Sequence, residues 1–185
     1  MRFQEPEGSL ARAMILPIVY YPDPILRRPA QPIAAVDDTL RELGRDMIET
    51  MVDARGIGLA GPQIGRGLRL IVVSPTGELE DASVHFNPRI VDASKEEVEM
   101  EEGCLSLPDL RGIVRRPMAV TVEFTNVDGE IEVIETDDLR ARVFQHEIDH
   151  LDGKLFIEYF GPVDRLSSRR RLQELRDDYE EAGPM

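Results

Sequence analysis

His146 and His150, two of the chain's three histidines, stand four residues apart in the stretch QHEIDHLDG, Gln145 to Gly153, with Glu147 directly after the first. On a helix, a spacing of four points both imidazoles the same way, so a single ion can take both. Glu147 then lies beside that ion, near enough to act on something bound to it without serving as a ligand. H-E-x-x-H on a helix is a signature of metal hydrolases. The bland alternative is a pair of solvated or core-satisfied histidines. Leu139 and Val143 extend the stripe with apolar side chains, so it faces inward. Two inward imidazoles beside a carboxylate are costly to bury without a metal or hydrogen-bond partners.

Two histidines do not complete a catalytic site, which usually has three protein ligands and one open position. Cys104, in the segment EEGCLSLP from Glu101 to Pro108, is the first candidate for the third. A thiolate is a strong, soft ligand, and a bound metal keeps it deprotonated at neutral pH. Gly103 before it permits close backbone approach. Glu174, downstream of the helix, and His85 are the other candidates, although His85 reads better as a surface or strand residue. Cys104 is the lone cysteine, so no intramolecular disulfide can form, and such a residue is otherwise an ordinary core side chain.

A third stretch, GIGLAGPQIG from Gly56 to Gly65, combines four glycines with the amide of Gln63. No Walker-type lysine follows, and a helix rather than a strand precedes it, so a phosphate loop is disfavoured. Glycine-rich backbone with one primary amide suits a peptide lying close and an oxyanion receiving a donor.

The elements that must position these groups follow from periodicity. Leu40, Leu43, Met47 and Met51 recur at helical spacing between Asp37 and Asp53, with Asp37 or Asp38 as cap and Gly56 just beyond the end. RLIVVS, EEVEME, AVTVEFTN and IEVIET read as strands, the last two joined through Asp128-Gly129, a hairpin signal. A second helix is predicted from about Thr136 or Asp137 to Gly153, carrying the histidines. After Gly161-Pro162, DRLSSRRRLQELRDDYEE reads as a terminal helix. The proline-rich VYYPDPILRRPAQPI reads as an extended surface segment. The expectation is an α+β fold: mixed or antiparallel strands around a central H-E-x-x-H helix, with an N-terminal and a C-terminal helix. Residues 1–13 read as a flexible extension and 14–185 as one catalytic domain, with Met14 a candidate start.

Lys plus Arg is 22 and Asp plus Glu is 36, so the formal charge is 22 − 36 = −14. That balance speaks against general DNA binding and against anionic membrane surfaces. No apolar run approaches the roughly 20 residues of a membrane span. The segment MILPIVY is too short and interrupted for a signal-peptide core, so a cytoplasmic protein is expected.

GIGLAGPQ, EGCLS and QHEIDHLDG, in this order and spacing, resemble the three signature motifs of the bacterial-type peptide deformylases, and YPDPILR resembles the family's opening. The likeness runs from about Ile15 to the terminal helix. One departure is visible: Gly61 stands where the family usually has a second alanine, which would loosen that wall by one methyl.

The resemblance implies hydrolysis of the formyl group from the N-terminal formyl-methionine of nascent peptides, with release of formate. It makes Cys104, His146 and His150 the ligands of one divalent metal ion, and Glu147 the general acid/base. Gln63 and the Leu105 amide become the oxyanion donors. It points to Fe(II) as the working ion, with Zn(II), Ni(II) or Co(II) as substitutes in preparations, although affinity order alone favours zinc over iron. A slot for the methionine would draw on Ile57, Leu105 and Val143, which read otherwise as plain core. Substrate backbone would pair near Ile57, Gly58 and Gly103 as an added strand. Arg165, Arg169, Arg170, Arg171 and Arg176 form a basic patch on the terminal helix, either a solvated face or a ribosome contact. Two rival classes stand beside the deformylase. One is a peptidase with Glu174 as third ligand. The other is a non-catalytic module stabilised by its metal, against which Glu147 and Gln63 speak.

Overall fold

The computed structural model describes residues 14–183, and the expected N-terminal extension, residues 1–13, lies outside the described residues. Helix α1 spans Asp38–Asp53, and the Asp37 carboxylate caps it by accepting the Leu40 N–H at 2.9 Å. Gly44 lets α1 press onto the sheet, since a Cβ there would stand 2.9 Å from Val84. The helix ends with Arg55 at φ 56° and the Gly56 N–H bonded back to the Met51 carbonyl at 2.8 Å.

Five strands form an antiparallel sheet in the order β1-β2-β3-β6-β7: β1 (Gly58–Ala60), β2 (Leu70–Val73), β3 (Ser83–Ala93), β6 (Ala119–Thr125) and β7 (Ile131–Asp137). β4 (Glu97–Cys104) and β5 (Leu107–Pro117) form a separate antiparallel pair. β6 and β7 turn through Asp128-Gly129 as predicted, with Gly129 at φ 87°. Helix α2 (Asp138–Leu151) packs across the larger sheet, and Phe144, Ile148 and Leu151 join Ile71, Val122 and Phe124 in one core. This is the expected α+β class, with antiparallel strands around the H-E-x-x-H helix.

Several details differ from expectation. The proline-rich N-terminal segment does not merely coat the surface. Its prolines deny it a long helix or ladder, but Val19, Tyr21 and Leu26 turn inward and are buried. Its amides also bind the site segments, Val19 N–H to the Gln63 carbonyl at 2.7 Å and Tyr21 N–H to the Ser106 carbonyl at 2.9 Å. The single terminal helix is two, α3 (Pro162–Ser167) and α4 (Arg169–Ala182). At the break, the Ser167 and Ser168 hydroxyls bond carbonyls three residues back, at 3.2 and 3.3 Å, in competition with the helical ladder. Gly61 leaves no slack. A Cβ there would meet the backbone oxygens of Leu68 at 2.5 Å and Arg66 at 2.9 Å, so the 66–68 chain already fills the methyl's place.

Candidate metal centre and substrate cleft

Three elements deliver the chemistry to one place. α2 presents His146 and His150, the end of β4 presents Cys104, and a tight 3-10 turn (Gly61–Ile64) presents Gln63. Cys104 Sγ lies 3.2 Å from His150 Nε2, and the ligand atoms of Cys104, His146 and His150 all fall within 4.8 Å of one another. Ligands about 2.0 to 2.3 Å from an ion in tetrahedral array stand roughly 3.5 Å apart, so this donor set fits a small divalent cation. The sequence-predicted ligand triad therefore converges.

Of the rival ligands, neither reaches the cluster. Glu174 sits on α4, paired with Arg170 at 2.9 Å and Arg171 at 3.4 Å. His85 is buried in β3, where Ser83 Oγ meets its Nε2 at 2.9 Å and Phe124 and Phe144 pack edge-on against its ring. Burial, helped by the charge of Arg140, lowers its pKa to about 3.

His146 is oriented by a residue that motif reading passed over. Glu102 Oε2 lies 2.8 Å from His146 Nδ1, which leaves Nε2 to face the sulfur. The same carboxylate, 5% exposed, accepts from Arg116 at 2.8 and 3.1 Å and from Arg142 at 2.9 Å. Arg116 also reaches Asp149 at 2.6 Å. Burial alone would raise the Glu102 pKa, but hydrogen bonds from His146 and Arg116 outweigh it and hold the carboxyl well below the usual range. Its signal was present in β4: Val98, Met100, Glu102 and Cys104 alternate on one face, so a carboxylate occupies the inward row.

The two imidazoles are driven apart. Burial pulls His146 down, yet its bonds to Cys104 and Glu102 outweigh that and hold it well above the usual histidine value. His150 is drawn well below it by burial and by the charge of His146. Glu147 is 4% exposed, and its Oε2 has no hydrogen-bond partner among the described residues. Burial, reinforced by the charge of Glu102, raises its pKa to about 7. The unpartnered buried oxygen of Glu147, beside the Cys104, His146 and His150 cluster, marks a site built for a group beyond the chain itself.

Gln63 is held by its own turn. The Ala60 N–H donates to its Oε1 at 2.8 Å, so its Nε2 must point at Cys104 Sγ (3.5 Å) and Ser106 Oγ (3.3 Å). A cleft of about 660 Å³ opens onto these groups, and Ile57, Gly58, Gly103, Leu105 and Val143 all line it. Val143 is buried while Ile57 is 37% exposed, so the first belongs to the floor and the second to the rim. Glycine is required at the wall. A Cβ on Gly56 would stand 2.8 Å from Leu105 Cδ1, and one on Gly58 would stand 2.8 Å from both Glu147 Cδ and Val143 Cγ1.

The basic patch of the terminal helix is partly spent inside the fold. Arg171 donates to the Pro108 carbonyl at 3.0 Å, and Arg176 to the Tyr21 hydroxyl at 2.7 Å. No helix among the described residues is long and apolar enough to cross a membrane.

Comparison with known proteins gives a consistent family. The family described as Polypeptide deformylase matches residues 15–166. A peptide deformylase of Rhizobium meliloti is 46% identical over 160 residues, covering 85% of this chain and 92% of that protein. One from Bartonella tribocorum is 47% identical over 161 residues, covering 85% and 90%. A crystal structure of a peptide deformylase from Plasmodium falciparum superposes with a TM-score of 0.88 at 37% identity, covering 91% of this chain and all 100% of that one.

Proposed function

Since the chain belongs to the polypeptide deformylase family, we propose that Cys104, His146 and His150 hold its metal, with Glu147 as general acid/base and Gln63 and the Leu105 amide as oxyanion donors. The chain is a metal-dependent hydrolase that removes the formyl group from N-terminal formyl-methionine of new polypeptides, releasing formate. The observation that carries the residue assignment is the convergence of one thiol and two imidazoles, from β4 and α2, beside a buried carboxylate.

When bound, the divalent ion supplies Lewis acidity and makes water a better nucleophile near neutral pH. Glu147 takes the proton of the attacking water and returns it to the departing amine, which leaves poorly as an anion. Gln63 Nε2, fixed by the Ala60 amide, and the Leu105 N–H meet the negative charge that grows on the formyl oxygen. One such donor is typically worth about 3 to 4 kcal/mol of barrier. The methionine side chain enters a slot made by Ile57, Leu105 and Val143, and a cramped metal pocket admits the small formyl group and excludes bulkier acyl groups by shape. β1 and β4 each have one strand partner among the described residues, and both border the cleft. Extended substrate then pairs near Ile57, Gly58 and Gly103, completing both edges.

We propose further that Fe(II) is the working ion, with Zn(II), Ni(II) or Co(II) able to replace it. We also infer a single catalytic domain over residues 14–185 working in the cytoplasm. A ribosome contact through α3 and α4 would rest on Arg165, Arg169 and Arg170, which are not tied to the site's β5 or the N-terminal segment as Arg171 and Arg176 are, although Arg165 also donates to the Glu158 carbonyl and Arg170 pairs with Glu174. Loss of salt-sensitive ribosome co-sedimentation on deleting residues after Gly161 tests it.

The decisive test pairs formate release from a formyl-Met peptide, assayed anaerobically with iron, with metal content. Cys104→Ala is expected to lose both. Glu174→Gln is expected to keep both; loss of metal there with Cys104→Ala still loaded would return the peptidase reading.

A further inference from the structure

The charges around the cleft are matched in pairs, with two exceptions. Glu101 faces Arg111 at 3.6 Å, Asp109 faces Arg171 at 3.4 Å, and Glu102 binds Arg116 and Arg142 at 2.8 and 2.9 Å. Among the described residues lining the cleft, Glu147 and Arg55 alone lack an opposite charge within ion-pair distance. Glu147 is explained by its role at the formyl group. Arg55 is exposed, and it occupies the left-handed position after α1, φ 56°, where glycine is the ordinary choice. The backbone there gains nothing from a long cationic side chain.

Position says what Arg55 meets. Gly58 lies against Glu147, and residues 58 back to 55 lead outward along the cleft wall. A substrate whose formyl end sits at Glu147 and whose methionine lies beside Ile57 and Gly58 advances outward at about 3.3 Å per residue, and so passes the turn at the cleft rim that carries Arg55. Pairing of its methionine with Ile57 or Gly58 brings its third or fourth residue beside Arg55. The rest of the molecule favours the opposite charge, because the whole chain carries −14.

We propose that Arg55 selects the third or fourth residue of the substrate, favouring aspartate or glutamate there over lysine or arginine. This rests on the deformylase reading of the cleft. Substrates of equal length then differ in turnover through one local cation acting against an acidic background.

The test compares kcat/KM for amidated formyl-Met-Ala-Glu-Glu, formyl-Met-Ala-Lys-Lys and formyl-Met-Ala-Ala-Ala on the metal-loaded protein. Exposed ion pairs are individually weak, so the Glu/Lys ratio should be about three to ten at low salt. It should shrink towards one at about 0.5 M salt, where the screening length falls to roughly 4 Å. Arg55→Gln should bring the ratio below one and Arg55→Glu lower still. Both variants share the backbone strain of the arginine, and a ratio taken within one preparation cancels any loss of folded protein. Calorimetric titration with the deformylated peptides should rank affinities in the same order. A wild-type ratio at or below one, or a ratio unmoved in Arg55→Glu, overturns the proposal. If the alanine peptide releases no formate either, the deformylase reading fails and takes this one with it.

Discussion

Replacing Gly58 by alanine should silence turnover while leaving the metal in place. The added Cβ would lie 2.8 Å from Glu147 Cδ and 2.8 Å from Val143 Cγ1, with Glu147 Oε1 closer still. Carbon contacts are comfortable at about 3.5 to 4 Å, so one side must give by roughly 1 Å. Val143 is packed in the core of α2, whereas the Glu147 carboxylate is the free end of a side chain and yields first. Such a shift costs little in stability, about 1 to 3 kcal/mol at most for an overpacked site. For chemistry it is severe: misplacing a catalytic group by 1 Å costs on the order of 100-fold in rate, about 2.7 kcal/mol of barrier. The assay is kcat and KM for a formyl-Met peptide, with metal content and thermal midpoint measured on the same samples. A double-mutant cycle isolates the cause. If Gly58→Ala acts through Glu147, the pair with Glu147→Ala should be no slower than Glu147→Ala alone. Turnover within threefold of the parent, or losses that simply multiply, would show that the wall does not set the carboxylate's position.

Glu102→Gln removes the charge that orients His146 and neutralises two buried arginines. Metal affinity should fall about 10- to 100-fold, and stability by about 3 to 5 kcal/mol; a metal-buffer titration and a thermal melt measure the two, and an unchanged affinity would detach Glu102 from the centre. His85 should make the fold acid-sensitive. Its pKa falls from 6.5 in the unfolded chain to about 3 in the fold, so above pH 6.5 neither state is protonated and it adds no pH dependence. Below 6.5 only the unfolded chain takes up the proton, so stability declines down to about pH 3, by roughly 2 kcal/mol at pH 5. Denaturant melts of His85→Leu should lack that component; equal acid slopes in the two proteins would remove His85 from the account.

The site was more legible in the sequence than the fold around it. His146, Glu147 and His150 announce themselves because helical spacing alone aligns them, and Cys104 because no second thiol competes. Helix α1 was legible from its apolar period and its aspartate cap. β3 was not, because Asn87 at φ 51° and Pro88 break its alternation with register shifts on either side of Arg89. β5 was obscured because Gly112 and Arg116 occupy its inward row, the arginine being buried only through Glu102 and Asp149. Glu102 itself escaped notice since a glutamate among glutamates looks solvated until the strand's facing is known. Gly61 was misread because sequence comparison sees a missing methyl, whereas the 66–68 backbone that fills its place is remote from any motif.

The sulfur stands on the small hairpin sheet and both imidazoles stand on the helix that backs the large one. Whatever joins them therefore adds a tie between two parts that already meet through apolar contact, the Glu102 cluster, and bonds from Arg142 and Gln145 to the hairpin carbonyls of Val98, Val114 and Pro117. Oxidation of the Cys104 thiol would therefore take from the cluster the one donor the hairpin contributes and leave both remaining donors on a single helix.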